Sequence, residues 1–186
     1  MNNKFVIKTK ELIIRPEDET KLWDGDWQIF LRGKEDTYIG KASFKGDKQY
    51  GAIPLYVELE EKYRNQGYGT EAFKLLVSFA FGVKNIYEVT AVTDRENDKC
   101  VYALEKAGFV RRSVEGTTET YSIIKPKTSW MGLYLIIGVI VGLILVVVLG
   151  GSWIGMLIGM IVAILFGMVM DSQENKEREN IIGKRD

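Results

Sequence analysis

Between Trp130 and Met170 the chain carries no Asp, Glu, Lys or Arg, and this stretch limits what the rest can be. Met131–Leu149 reads MGLYLIIGVIVGLILVVVL, and Trp153–Met170 reads WIGMLIGMIVAILFGMVM. At about 1.5 Å rise per residue, either run as a helix nearly matches a hydrocarbon core about 30 Å thick. Gly150, Gly151 and Ser152 join the runs, so two helices linked there lie antiparallel. A helical hairpin satisfies its own backbone groups except at the ends, as crossing lipid requires. A soluble helix pair is disfavoured, because the rest of the chain is too small to cover so many uncharged residues. The expectation is a transmembrane hairpin over residues 129–170, with spans at about 131–149 and 153–170.

Glycines mark one face of each span. Gly138 and Gly142 are four residues apart, and Gly151, Gly155 and Gly159 form a second series at the same spacing. Such faces let helix backbones approach closely, within one hairpin or between hairpins, which would give a homo-oligomer. Trp130, Tyr134 and Trp153 fall where interfacial aromatics sit. Lys125 and Lys127 precede the first span, and Lys176, Arg178, Lys184 and Arg185 follow the second. The positive-inside rule therefore places both flanks in the cytoplasm. The expected location is the cell (inner or plasma) membrane, multi-pass, with the soluble part and C-terminus cytoplasmic. Residues 171–186 read as a polar tail, frayed helix or disordered, with no chemistry assigned.

The remainder, 1–128, is an ordinary charged globular sequence, and the whole chain is 46% hydrophobic and 27% charged. Formal net charge is zero, so no global field favours nucleic acid. There is no His and a single cysteine, Cys100, which removes the commonest base and metal ligand and any intramolecular disulfide. No metal site is expected. The first residues lack the apolar stretch of a secretory signal, so the first domain is expected to stay where it is made.

Turn signals divide that domain. Strands are expected at 11–15, 27–32, 37–44, 52–59 and 87–93, with a hairpin-like pair at 109–114 and 120–125. A helix is expected over Glu71–Phe81, with Ala72, Leu75, Leu76 and Phe79 on one face, and another over Asn97–Ala107, stopped by Gly108. The fold class is α+β.

The segment with chemical content is the strand–loop–helix from Ala52 to Phe81. Gly67 and Gly69 directly precede the helix, where a flexible backbone and the helix N-terminus make an anion site suited to pyrophosphate. A phosphate-binding P-loop is disfavoured because no Gly-Lys-Ser/Thr follows, and a dinucleotide loop would need a third glycine.

Arg64-Asn65-Gln66-Gly67-Tyr68-Gly69 fits the Gln/Arg-x-x-Gly-x-Gly/Ala pattern of the GCN5-related N-acetyltransferases, the GNAT superfamily. Thr70-Glu71-Ala72 continues as in its RimJ/RimL-like branch. Asn97-Asp98-Lys99-Cys100-Val101-Tyr102-Ala103-Leu104-Glu105-Lys106-Ala107-Gly108-Phe109 resembles that branch's Asn-x-x-Ser-x-x-x-Leu-Glu-Lys-x-Gly-Phe helix. The resemblance covers roughly residues 5–125 and stops before the hairpin. It implies a mixed, mostly antiparallel sheet with flanking helices and acetyl-CoA between two splayed central strands. Amides of Gln66, Gly67, Tyr68, Gly69 and Thr70 would hold the pyrophosphate, with Arg64 and Asn65 beside it. The backbone at Leu59 would pair with the pantetheine, Asn97 would bond its arm, and Cys100 would lie near its sulfur. An amine acceptor would then attack the acetyl thioester.

Three departures bear on catalysis. The tyrosine that many members carry as acid for the leaving thiolate is Leu104 here, and Tyr102 falls on another helix face, where packing is the expected role. The branch's serine is Cys100. Where the family has two helices lining the acceptor pocket, only Pro16–Asp26 connects the strands, giving a shortened acceptor region. Glu58 and Glu60 flank Leu59 and are the best-placed carboxylates for a base or water relay. Solvation of the strand end explains them equally well. Arg111, Arg112 and Glu115–Glu119 read as surface and turn residues.

Two functions remain in play. One is a membrane-tethered N-acetyltransferase with acetyl-CoA as donor and an amine-bearing small molecule or protein as acceptor. The other is a catalytically degenerate acyl-CoA-binding module with a membrane-assembling, glycine-zipper-like hairpin. A hairpin that permeabilises membrane has little support, because it has no polar face to line a pore.

Overall fold

The computed structural model describes residues 5–33, 35–45, 51–83, 85–127, 129–148, 150 and 153–182. They form two compact units, Met1–Lys125 and Pro126–Asp186. The first unit contains one eight-stranded sheet: β1 (Ile7–Lys8), β2 (Leu12–Pro16), β3 (Asp26–Leu31), β4 (Thr37–Phe44), β5 (Ala52–Leu59), β6 (Glu88–Asp94), β7 (Val110–Glu115) and β8 (Thr118–Ile124). Helix α1 (Tyr68–Phe81) joins β5 to β6, and α2 (Asp98–Ala107) joins β6 to β7. The spatial order is β1-β2-β3-β4-β5-β6-β8-β7. Every neighbouring pair is antiparallel except β5 and β6, which are parallel because α1 carries the chain back across the sheet.

The core lies between one sheet face and the two helices. Trp27, Ile29, Phe44, Ile53, Leu55 and Val89 face it from the strands, and Ala72, Phe73, Leu76, Val77 and Ala80 from α1. The buried stripe of α1 thus includes Phe73, Val77 and Ala80, while Leu75 and Phe79, expected on it, are only partly buried at its border. Leu104 and Ala107 bring α2 onto the same core. Each large side chain so buried contributes about 1.5–3 kcal/mol. Asn97 caps α2 by accepting the Cys100 N–H on its side-chain oxygen at 3.1 Å, and Gly108 ends the helix at φ +100°. Strand β1, which the sequence pattern did not suggest, exists through a tight turn: Thr9 Oγ1 accepts the Leu12 N–H at 2.9 Å and donates to Glu71 on α1.

The second unit is an antiparallel pair, α3 (Met131–Val148) and α4 (Ile154–Ile182). Both are long and apolar enough to cross a membrane. Gly150 adopts φ +69° after α3, whereas Gly151 and Ser152 of the expected turn lie outside the described residues. The glycines seat the helices on each other within the one chain. A Cβ on Gly159 would meet Gly142 Cα at 2.7 Å, and one on Gly155 would meet the Val146 nitrogen at 2.7 Å. Gly167, opposite Met131, extends the contact beyond the expected set. At the other end, Trp130 donates its backbone N–H to Asp171 at 2.8 Å and its indole N–H to Glu174 at 3.0 Å. Of the two states expected for the polar tail, helix or disorder, the structure shows helix: α4 continues from Asp171 to Ile182. Asp171 and Glu174 hold that first extra turn by satisfying donors of the α3 terminus.

Filling the helix contact should separate α3 from α4. Gly159→Leu is expected to lower the helix-unfolding midpoint in detergent, followed by circular dichroism, through overpacking of about 1–3 kcal/mol. Gly132→Leu should leave it unchanged, since a Cβ at Gly132 has nothing within 4 Å.

Candidate functional site

The parallel strands part soon after they meet. β5 and β6 pair only at Ala52↔Glu88, Ile53↔Val89 and Pro54↔Thr90. From Leu55 to Leu59, β5 pairs with β4 alone, and from Ala91 to Asp94, β6 pairs with β8 alone. The two strand ends therefore diverge, and the edge of β5 turned away from β4 is open to an extended, hydrogen-bonding ligand.

The loop after β5 leads into α1. A 3-10 turn at Glu61–Tyr63 is followed by two left-handed residues, Asn65 at φ 62° and Gly67 at φ 92°. Gly67 is the N-cap of α1, and no side chain caps the helix. The N–H groups of Gly67, Tyr68, Gly69 and Thr70 therefore have no intrahelical acceptor, and the helix dipole places partial positive charge there. A Cβ on Gly67 would meet nothing within 4 Å, and one on Gly69 only Leu59 Cδ1 at 3.7 Å. The loop surface is thus open on the side that an anion would approach. Its residues fit the pyrophosphate of a CoA thioester: backbone donors, no opposing carboxylate cap and room at both glycines.

Other expected cofactor contacts are placed less directly. Arg64 Nε donates to the Leu59 carbonyl at 2.8 Å, so Arg64 braces the strand end and occupies a backbone acceptor there. Gln66 Nε2 donates to the Lys62 carbonyl at 2.8 Å, fixing the loop through its side chain. Tyr68 and Thr70 are half-buried in the first turn of α1. At the end of β6, Asn97 is spent partly as the α2 cap, and Cys100 is a half-buried free thiol in that helix's first turn. The loop and the α2 N-terminus thus flank the two diverging strands.

The catalytic candidates are not drawn into this cleft. Glu58 pairs with Lys41 across the β4–β5 ladder at 3.4 Å, and Glu60 pairs with Lys62 at 3.2 Å, all four side chains well exposed. Tyr102 does not pack as expected: it is 62% exposed, with the Lys106 ammonium 5.4 Å from its ring. Leu104, at the position of the family's tyrosine, is fully buried. Among the described residues, no three His, Cys, Asp or Glu side chains cluster to hold a metal.

On the acceptor side, residues 17–25 form turns, with Lys21 N–H to Asp18 and Gly25 N–H to Lys21 carbonyls. Trp23 pins them, its ring 5.0 Å from Phe44 and 5.5 Å from Phe79. An open groove of about 410 Å³ remains, lined by Glu17, Asp18, Asp24, Asp26, Lys21 and Lys45.

One polar cluster contradicts its expected surface role. Glu119 is buried, accepting from the Tyr121 hydroxyl at 2.8 Å and from Arg111 at 3.0 Å. Burial first, and then the Glu119 carboxylate, push the Tyr121 hydroxyl up to about 12. Its hydrogen bond from Tyr121, then Arg111, holds Glu119 below the usual carboxylate range. Period-two alternation of Glu119, Tyr121 and Ile123 was the signal available in the sequence.

The fold agrees with known proteins. The acetyltransferase (GNAT) domain model matches residues 5–110. The chain belongs to the GNAT acetyltransferase family. It is 36% identical over 58 residues to spermidine N(1)-acetyltransferase of Escherichia coli (strain K12), covering 31% of this chain and 30% of that protein. It is 29% identical over 104 residues to the uncharacterized N-acetyltransferase YjdG of Bacillus subtilis (strain 168), covering 54% and 59%. The chain thus spans less than two thirds of the length of these curated relatives. The solved GNAT-family acetyltransferase of Bacillus anthracis superposes with a TM-score of 0.55 at 16% identity, over 64% of this chain and 98% of that one.

The buried tyrosine carries a pH signature. Above pH 10.0 an unfolded tyrosine ionises while Tyr121 does not, so stability should fall between there and about pH 12. Tyr121→Phe is expected to reduce that slope in denaturant titrations across the alkaline range. Glu119 has the opposite sign: its depressed folded value makes stability fall as pH drops through the acid carboxylate range, and Glu119→Gln should flatten that limb.

Proposed function

We propose that this GNAT protein is a membrane-anchored N-acetyltransferase that moves acetyl from acetyl-CoA to an amine. The parting of β5 and β6 beside the uncapped N-terminus of α1 carries the reading. Acetyl-CoA supplies an activated acetyl thioester. In this reading Gly67, Tyr68, Gly69 and Thr70 hold the pyrophosphate through their amides, with Gln66 and Asn65 shaping the loop. Arg64 braces Leu59, whose strand edge receives the pantetheine, and Asn97 and Cys100 flank its far end. The acceptor amine must lose a proton before attack, and Glu58 or Glu60 through water is the base that this strand end offers. The domain division follows: 1–128 binds the donor, α3 and α4 within 129–170 cross the membrane, and residues 171–186 stay on the cytoplasmic side with the donor domain. The basic flanks support that orientation. The glycine faces are occupied within the hairpin, so anchoring is a better account of it than assembly through glycines.

The shortened acceptor side supports a second reading, an acyl-CoA-binding module without turnover. No helix stands between β2 and β3, and both carboxylate candidates are solvent-exposed ion pairs.

The full chain in lipid nanodiscs should bind acetyl-CoA by calorimetry and release free thiol when given polyamines, lysine peptides or aminophospholipid. Binding with no acceptor-dependent thiol release would replace the enzyme reading with the second one. Gly67→Glu is expected to abolish binding, since it sets a carboxylate at the anion site in a left-handed position that costs an L-residue about 1–2 kcal/mol. Retained affinity in a folded Gly67→Glu protein would remove Gly67 from the donor site.

A further inference from the structure

Around Ser122 the first unit gathers an apolar and cationic surface that acetyl transfer does not use. Val110 lies directly opposite Ser122 in the β7–β8 ladder, Arg112 Nε donates to Ser122 Oγ at 2.8 Å, and Ile124 follows on the same face. Val110 is 58% and Ile124 46% exposed. Residues 108–114 and 120–127 contain Arg111, Arg112, Lys125 and Lys127 and no Asp or Glu. The facing charges are few. Arg111, opposite Tyr121, pairs with Glu119 at 3.0 Å on the helix-covered face, where Lys125 also donates to the Phe81 carbonyl; Glu88, largely buried, stands opposite Ile124.

The chain then runs directly into the first apolar helix. Residues 125–130 separate Ile124, the end of β8, from Met131, the start of α3, and include Lys125, Lys127 and Trp130. Fully extended, the seven steps from Ile124 to Met131 reach about 25 Å. If α3 and α4 cross a bilayer, as proposed above, Ile124 is confined to that distance from the hydrocarbon boundary. An exposed aliphatic pair beside Arg112, with Lys127 three residues on from Ile124, suits the lipid interface, where alkyl stems bury and cations meet anionic headgroups.

We infer that the β7–β8 end, through Val110, Arg112, Ile124 and Lys127, seats on anionic phospholipid headgroups. The contact holds the donor domain at the membrane surface rather than leaving it swinging on its connector.

Site-directed labelling of the full chain in vesicles tests this. In a Cys100→Ser background, an environment-sensitive fluorophore is placed at Val110→Cys, Ile124→Cys or Lys99→Cys, the last on α2. Vesicles of phosphatidylcholine with or without phosphatidylserine carry a headgroup-level quencher lipid. Quenching is expected at 110 and 124, stronger with phosphatidylserine, weakened by salt, lost with Arg112→Ala plus Lys127→Ala, and absent at 99. Labels at 110 and 124 quenched no more than at 99, in protein that resists carbonate extraction, would overturn this docking surface and leave the membrane anchor standing. Release of the protein by carbonate would remove the anchor, and this inference with it.

Discussion

The short pairing of β5 with β6 is the constraint on which the candidate site depends. A parallel ladder that continued past Pro54 would close the sheet and leave no edge for a ligand. The ladder stops after three residue pairs, and the chain makes the return crossing through α1. The helix N-terminus consequently stands at the mouth of the gap. One backbone arrangement would thus supply both halves of the proposed donor site: an open strand edge for the amide-bearing arm of CoA and N–H groups for its phosphates. Little side-chain chemistry is needed for that; strand divergence and two glycines suffice.

The same economy explains why the cofactor half was readable in the residues and the acceptor half was not. Gly67 and Gly69 before an amphipathic helix announce a backbone anion site, and the structure gives Gly67 the left-handed angle that glycine tolerates. Strands β4 and β5 follow the expected limits because turn-forming residues interrupt the apolar pattern beside them in the sequence. Short-range pattern missed β1, whose two residues are held by Thr9 and the side of α1 rather than by any periodicity. It also misplaced Glu119, because a carboxylate in a polar hairpin reads as surface until Tyr121 and Arg111 are seen to enclose it. The residues 17–25 offered no period at all; their position is set by Trp23 against Phe44 and Phe79, a contact between segments far apart in sequence.

In the second unit, composition fixed the helices but not their length or their mutual contact. The apolar run ends at Met170, yet α4 continues because Asp171 and Glu174 have the donors of Trp130 to bond. Glycine spacing alone allowed pairing inside one chain or between chains. The positions decide it: Gly138 and Gly142 meet Gly159 and Gly155, an antiparallel register that a tight connection near residue 150 enforces. Once those faces are buried together, the surface left outward is Ile, Leu, Val and Phe, a surface suited to lipid.

That division of labour bears on catalysis. A donor site built from backbone survives without acidic or basic side chains, whereas an acceptor site must supply a proton acceptor and a wall. Here the carboxylates nearest the cleft are exposed and ion-paired, and the connection that would form the wall is a loop pinned by one tryptophan. An exposed carboxylate can still act through water if the amine arrives already oriented. The orienting surface then has to come from the acceptor itself or from whatever it is embedded in. A chain whose other half is suited to lipid, joined to the donor domain by a short cationic connector, has such a surface within reach.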